Sequence, residues 1–227
     1  MTDLSHRTLQ QRVAVHFALG EPARLAIMDD LVSSDRSPKD LAIRHGLPTN
    51  LLSHHLDVLE AAGLIVRGAS AGDGRRRYVR LVPAALYGLG LHAAARPGAV
   101  LFLCTHNSAR SQLAAALWIA RSGAPAASAG THPAPRVHRG AVAAGRRAGL
   151  DLRAAVPRLV GRIPTDAQIV TVCDRAREEL EPGSDWWHWS IPDPVESGTA
   201  DAFDAVVADL GIRISGLFDA HLEPSAS

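Results

Sequence analysis

Apolar and polar positions follow two different rhythms along the chain. Up to about residue 95, apolar residues recur every three or four positions, the spacing of helices with one buried face. In EPARLAIMDDLVSS (21–34), Leu25, Met28 and Leu31/Val32 share such a face. SPKDLAIRHG (37–46) opens with Ser37 as a cap, Pro38 at the first helical position and Asp40 three residues after the cap, and Gly46 stops it. LPTNLLSHHLDVLEAAG (47–63) repeats this logic: Thr49 suits the cap, Leu52, Leu56 and Leu59 face inward, and Gly63 ends the helix. The turn at Gly46–Pro48 joins the two as a helix-turn-helix. LIVRG and RRRYVRLV then alternate like strands around the turn-rich ASAGDG, predicting a β-hairpin wing. PAALYGLGLHAAA predicts a last helix.

After AAARPGAV (93–100), where Pro97 and Gly98 break the helical pattern, the rhythm changes. AVLFLC (99–104) is a continuous apolar run, and SQLAAALWIARSG (111–123) is helical. AASAG (126–130) is strand-like, PRVHRGAVAAGRRAGL (135–150) helical and IVTVC (169–173) a second apolar run. DWWHWSIPDP (185–194) contains a fourth strand, with the WWHW cluster assigned to packing. DAFDAVVADLGIRISGLFDAHL (201–222) is a final helix. Buried strands alternating with helices predict a parallel sheet. The expected architecture is therefore two domains. A mainly-α winged helix-turn-helix over residues 1–95 precedes an α/β four-stranded parallel sheet over 99–222.

Composition changes this picture little. Net charge is +1, with 11 basic against 9 acidic residues in 1–95 and 13 against 14 thereafter, and Lys39 is the only lysine. No apolar run approaches a membrane-spanning length, and the polar N-terminus MTDLSHRTLQ does not read as a secretion signal. A cytoplasmic location is expected. Two cysteines, Cys104 and Cys173, make no disulfide framework and fit reactive or buried thiols.

Both cysteines end predicted strands, the end at which ligands bind in parallel sheets. In LFLCTHNSARSQ (101–112), Cys104 is followed six positions later by Arg110. Backbone N–H groups of Thr105, His106, Asn107, Ser108 and Ala109, with the start of the next helix at Ser111, can converge on a tetrahedral oxyanion. The Arg110 guanidinium can clamp two of its oxygens. The same positive field favours thiolate, the attacking form of cysteine. Ser108 and Ser111 are placed to hydrogen-bond the sulfur, and Asn107 suits positive φ.

CTHNSARSQ resembles the active loop of the low-molecular-weight tyrosine phosphatase superfamily, and NSARSQ resembles its arsenate reductase branch. Phosphatases usually carry a second cysteine before the arginine and a proline two places after it, where this chain has Ala109 and Gln112. The resemblance continues through SAGTHPAPRVHRGAV, IVTVCDRA and HWSIPDPV. It implies Cys104 as nucleophile, Arg110 as anion clamp and Asp193 as the acid that protonates a leaving group. It also implies Cys173 as a resolving thiol, without the third cysteine of thioredoxin-coupled members. No bound cofactor is implied. The reductant would be an external thiol, either a thioredoxin-like protein or mycothiol with mycoredoxin. Cys173 also fits a buried strand-end residue without a redox role.

The stretch LAIRHGLPTNLLSHHLDVLEAAGLIV, followed by RRRYVRL, resembles ArsR-type winged-helix repressors. That likeness implies a homodimer built on TLQQRVAVHFAL and PAALYGLGLHAAA, binding a double-stranded DNA operator. Thr49, Asn50, Ser53, His54 and His55 would face the major groove, and Arg75, Arg76 and Arg77 would reach phosphates or a minor groove. With no cysteine in this half, a trithiolate arsenite site is excluded there, and no metal site is expected. The combined expectation is a DNA-binding regulator fused to a thiol-dependent arsenate reductase. Two alternatives are a phosphatase using Asp193 as acid and a non-catalytic sensor of an oxyanion or of redox state.

Overall fold

A computed structural model describes residues 8–82, 98–180, 182–183 and 185–219. They divide into two compact units.

The N-terminal unit carries α1 (Leu9–Leu19), α2 (Pro22–Ser33), α3 (Pro38–His45), α4 (Thr49–Ala61), β1 (Ile65–Ala69) and β2 (Arg77–Leu81). Ser37 Oγ accepts the Asp40 N–H at 3.1 Å, and Gly46 ends α3 in the left-handed conformation, φ 61°, where glycine meets no steric cost. The cap expected at Thr49 is not formed. Pro48 is the cap residue, and Thr49 is the first residue of α4. Ile27, Met28 and Leu31 of α2 pack with Leu41, Leu52, Leu56, Leu59, Leu64 and Ile65 as buried core. Leu25, expected in that core, is exposed, because the inward face of α2 runs through Ile27 and Leu31. β1 and β2 form an antiparallel hairpin in which Ile65 pairs with Leu81 and Ala69 with Arg77. Backbone bonds between Arg36 and Val79, 3.1 and 2.7 Å, stitch the α2–α3 connection to β2. The helix expected in PAALYGLGLHAAA lies outside the described residues.

The C-terminal unit carries β3 (Ala99–Cys104), α5 (Arg110–Ser122), β4 (Ala126–Gly130), α6 (Arg139–Arg147), β5 (Ala167–Thr171), α7 (Asp174–Glu179), β6 (Trp187–His188), α8 (Pro194–Ser197) and most of α9 (Ala200–Asp219). Its sheet is fully parallel, in the order β4-β3-β5-β6. The chain leaves β3 for β4 on one side, then crosses to β5 on the other. The carboxyl ends of β3 and β5 therefore border a topological switch point, where parallel sheets open a crevice. Phe102 of β3 fixes the core by contacting Trp118 of α5 and Trp189, with ring centroids 6.0 and 5.7 Å apart. Trp187 and Trp189 are buried, so most of WWHW is packing. Burying side chains of this size contributes roughly 1.5–3 kcal/mol each.

α6 begins only at Arg139, later than the pattern predicts, because His138 caps it by accepting the Gly140 N–H at 3.1 Å. β5 ends at Thr171, so Cys173 lies just past the strand and caps α7. The short helices α7 and α8 were not expected; each is too brief to show a periodicity. Among the described residues no helix is long and apolar enough to cross a membrane, and no cluster of three metal-ligating side chains exists.

Candidate active site

β3 carries Cys104 to the switch point, and the chain turns at once into the loop that starts α5. The turn depends on Asn107, at φ 47° the one non-glycine residue with positive φ among those described. This conformation directs the Asn107 N–H at Cys104 Sγ, 3.2 Å away. The side chain works in the same direction. Asn107 Nδ2 donates to Ser111 Oγ at 2.8 Å, which leaves the serine proton to point at Sγ, 3.0 Å away. Ser111 is thus the hydroxyl partner of the sulfur. Ser108, expected there as well, instead lines the cleft and accepts the His138 N–H at its carbonyl.

Two further contacts hold Asn107 from behind. Its Oδ1 accepts the Arg158 N–H at 2.8 Å and Gln112 Nε2 at 3.1 Å. Gln112 also donates to the Asn107 and Val156 carbonyls, at 3.2 and 3.3 Å. The sequence registered Gln112 only as a missing proline; the fold makes it the fastener between the loop and the segment around Val156. Gly130, at the end of β4, makes this closeness possible. A Cβ there would stand 2.6 Å from the Thr105 carbonyl oxygen and 2.9 Å from the Asn107 nitrogen.

Arg110 is the first residue of α5. Ala109, its cap, offers no side-chain acceptor, so the first-turn N–H groups are left to other acceptors. The buried guanidinium reaches across the cleft mouth: Nη1 donates to the Ile191 carbonyl at 3.0 Å, and Nη2 to Asp193 Oδ2 at 2.6 Å. Asp193 Oδ1 accepts the Val195 N–H at 3.0 Å and caps α8. Arg110 and Asp193, singled out separately and distant in sequence, are therefore in direct contact. Cys104, His106, Ser108, Ala109, Arg110 and Asp193 line one cleft of about 1850 Å³.

Thr105 turns the other way. Its Oγ1 lies 3.4 Å from Cys173 Sγ, which also accepts the Ala176 N–H at 3.4 Å. Cys173 is 1% exposed and, unlike Cys104, does not line the cleft. Burial pushes its thiol above the ordinary cysteine range. Arg110 pulls the other way, and nearby Cys104 adds to the rise. Both cysteines are free thiols.

Beside Cys173 is a buried polar chain that sequence reasoning missed. His188 Nε2 lies 3.1 Å from Asp174 Oδ1, and its Nδ1 2.9 Å from Thr171 Oγ1. Burial opposes ionisation of Asp174, but hydrogen bonds, with His188 foremost, outweigh it and hold the carboxyl below the usual range. His188 sat inside a tryptophan cluster, where the residues' packing value masked its polar role.

In the N-terminal unit, Thr49, Asn50, Ser53 and His54 are exposed on α4, and Arg75, Arg76 and Arg77 are exposed at the hairpin. His55 departs from expectation. It is buried on the opposite face of α4, with Nδ1 3.6 Å from Glu21 Oε2. Neighbours on a helix are separated by about 100°, so His54 and His55 cannot share a surface.

A parallel sheet whose first strand ends in a cysteine, six residues before an arginine that opens the next helix, defines a cysteine-nucleophile enzyme of the phosphatase superfamily. Residues 99–225, more than half of the chain, match the family of low molecular weight phosphotyrosine protein phosphatases, and the chain belongs to that family. Among solved structures it is similar to an arsenate reductase from Archaeoglobus fulgidus (31% identity, 53% of this chain and 98% of that one, TM-score 0.45). It is also similar to a tyrosine phosphatase from Erwinia amylovora (20%, 57% and 97%, 0.49). A third is a thioredoxin-dependent arsenate reductase from Corynebacterium glutamicum (23%, 61% and 67%, 0.45). Comparison with curated protein sequences gives no significant match.

Proposed function

We propose that the phosphatase-like domain, residues 99–222, reduces arsenate to arsenite. The observation that carries this reading is the pair of thiols at neighbouring strand ends, with Thr105 of the loop touching Cys173; hydrolysis would need only Cys104. Arsenate binds against the N–H groups of Thr105 to Ser111, clamped by Arg110. The Cys104 thiolate attacks arsenic and displaces water, giving a thiol–arsenic adduct. A thiol then attacks the Cys104 sulfur. The S–As electron pair passes to arsenic, and arsenite leaves.

Access decides which thiol attacks. Both thiols are buried, but Cys104 lines the cleft whereas Cys173 does not, and burial holds Cys173 as the protonated thiol. The first attacker is therefore an external thiol, with thioredoxin-like protein and mycothiol plus mycoredoxin as candidates, and Cys173 serves as a resolving thiol only where the reductant is a thioredoxin-like protein. An arsenate reduction assay with each reductant tests this on Cys104→Ser and Cys173→Ser. Loss of all activity in the first, with small-thiol turnover kept in the second, is the expected result. Dependence of every reductant on Cys173 would sink the external route.

The second reading, phosphoester hydrolysis with Asp193 as acid, draws on family membership and on the Arg110–Asp193 contact. Steady turnover of p-nitrophenyl phosphate without arsenate reduction would establish it.

For residues 1–95 we propose an ArsR-type winged helix-turn-helix, so that the whole chain is a DNA-binding regulator fused to the reductase. Support comes from the turn between α3 and α4, the polar exposed face of α4 and the arginine-bearing hairpin. A dimer is supported by α1, whose Leu9, Val13 and Phe17 are 75%, 59% and 70% exposed on one stripe. Operator binding titrated against arsenate, phosphate, arsenite and oxidant tests both the regulator and the sensor reading.

A further inference from the structure

The cleft above Cys104 is far larger than a tetrahedral oxyanion requires, and its wall is charged. One face of α6 lines it: Arg139, Val142, Ala143 and Arg146, spaced i, i+3, i+4, i+7, while Ala141, Ala144 and Gly145 are buried on the other face. Arg136, just before the helix, lines the same cleft. Neighbouring Arg147 is neutralised by Asp204 at 2.7 Å. Among the described residues, no hydrogen bond or ion pair of that kind engages Arg136, Arg139 or Arg146. Of the cleft's acids, Asp151 is bound to Arg153 and Asp193 to Arg110, which leaves Glu196 against three arginines. Three cations left unpaired along one wall attract an anion separate from the one held by Arg110.

We infer that Arg136, Arg139 and Arg146 form a second anion subsite that docks an acidic low-molecular-weight thiol by its carboxylates, a reductant class distinct from the thioredoxin-like protein and the uncharged mycothiol named above. This rests on the arsenate-reducing reading. The docked thiolate attacks the sulfur of the Cys104–arsenic adduct. The S–As bond breaks with its electrons on arsenic, As(V) becomes As(III), and a mixed disulfide remains on Cys104. A second thiol attacks that disulfide, frees the Cys104 thiolate and leaves as the oxidised dimer. Two thiols together supply the two electrons.

The test compares glutathione, an acidic thiol, with neutral dithiothreitol on the full chain and on Arg139→Gln/Arg146→Gln. The double variant is expected to lose about fivefold in kcat/KM for glutathione. Dithiothreitol-supported turnover stays within twofold, which also shows that the variant is folded. The glutathione advantage should shrink as salt is added. Equal loss with both thiols, or loss with neither, overturns the subsite. A second arm needs no arsenate: the rate of Cys104 thiolation by oxidised glutathione relative to hydroxyethyl disulfide, followed by mass spectrometry. That ratio falls in the variant if the subsite exists and is unchanged if it does not. Absence of arsenate reduction with every thiol, alongside a shifted thiolation ratio, would defeat the arsenate reading and leave the subsite standing.

Discussion

Asn107 and Ser111 of the loop after β3 are fully buried and bonded to each other, to Cys104 and to Arg158. On α4, Thr49, Asn50, Ser53 and His54 stand in solvent. Under the functions proposed above, the contrast follows from what each surface would meet. A nucleophile needs donors that are already aimed and do not reorganise during the reaction, and burial among fixed partners supplies that. A surface that reads another macromolecule must keep its side chains outside its own core, where they can reach a groove. One chain holds polar residues in both ways, and the two ways predict different responses to substitution.

The largest effect is expected at the buried end of the comparison. Cys104→Ser should lower arsenate reduction by about 10³-fold or more, because nothing else in the cleft supplies the nucleophile. Operator binding measured on the same sample should be unchanged; a matching loss of both would mean that the two surfaces are not separable. At the exposed end, Arg75→Ala/Arg76→Ala/Arg77→Ala should weaken DNA binding roughly 10- to 100-fold. The slope of log affinity against log salt should drop by about 0.9 for each phosphate contact removed. Thermal stability should hardly change. An unaltered salt slope would remove the hairpin from the DNA-facing surface.

Gln112→Ala sharpens the contrast from the buried side. It strips a shared donor from two backbone carbonyls and the Asn107 side chain, at a cost of about 1–3 kcal/mol of stability. Because Asn107 is then less firmly aimed, kcat should fall more than KM rises. A stable variant with wild-type kcat would show that the fastener is dispensable. The smallest effect concerns pH. Asp174 has its folded pKa held below its ordinary value of 3.8, so its contribution to stability is present above that value and lost as pH falls through the lower one. Asp174→Asn should flatten the acid limb of the stability curve and leave the neutral region with a roughly constant offset. Parallel acid limbs in chemical denaturation would refute this linkage.

The Cys104 loop was legible because it is contiguous: cysteine, polar loop, arginine and following helix occupy one stretch, and the apolar run of β3 matched its strand from Ala99 to Cys104. Asp193 was readable only through a family pattern, since an aspartate before proline is ordinarily a turn. Gln112 and His188 were not readable. Besides nearby Asn107, Gln112 reaches Val156, and His188 reaches Asp174 and Thr171; no local spacing announces contacts of that range. His55 was misassigned for a related reason: residues adjacent in sequence lie a hundred degrees apart on a helix, and only the packing of α2 against α4 says which of them turns inward.

The sequence by itself determined the change from helical to strand–helix rhythm, the strand that ends in a cysteine, the short loop that runs from it to an arginine and the basic hairpin. These depend on periodicity and short-range sterics, which neighbouring residues settle among themselves. Tertiary structure decided the rest. The strand order β4-β3-β5-β6 sets Cys104 and Cys173 at adjoining strand ends. Of these two buried thiols only Cys104 lines the cleft, and the fold joins Arg110 to Asp193 across the cleft mouth. It also leaves one arginine face of α6 unpaired above the nucleophile. Each of these is a long-range juxtaposition, created when the crossover connections close and the core around Phe102 packs, and no stretch of the chain contains it alone.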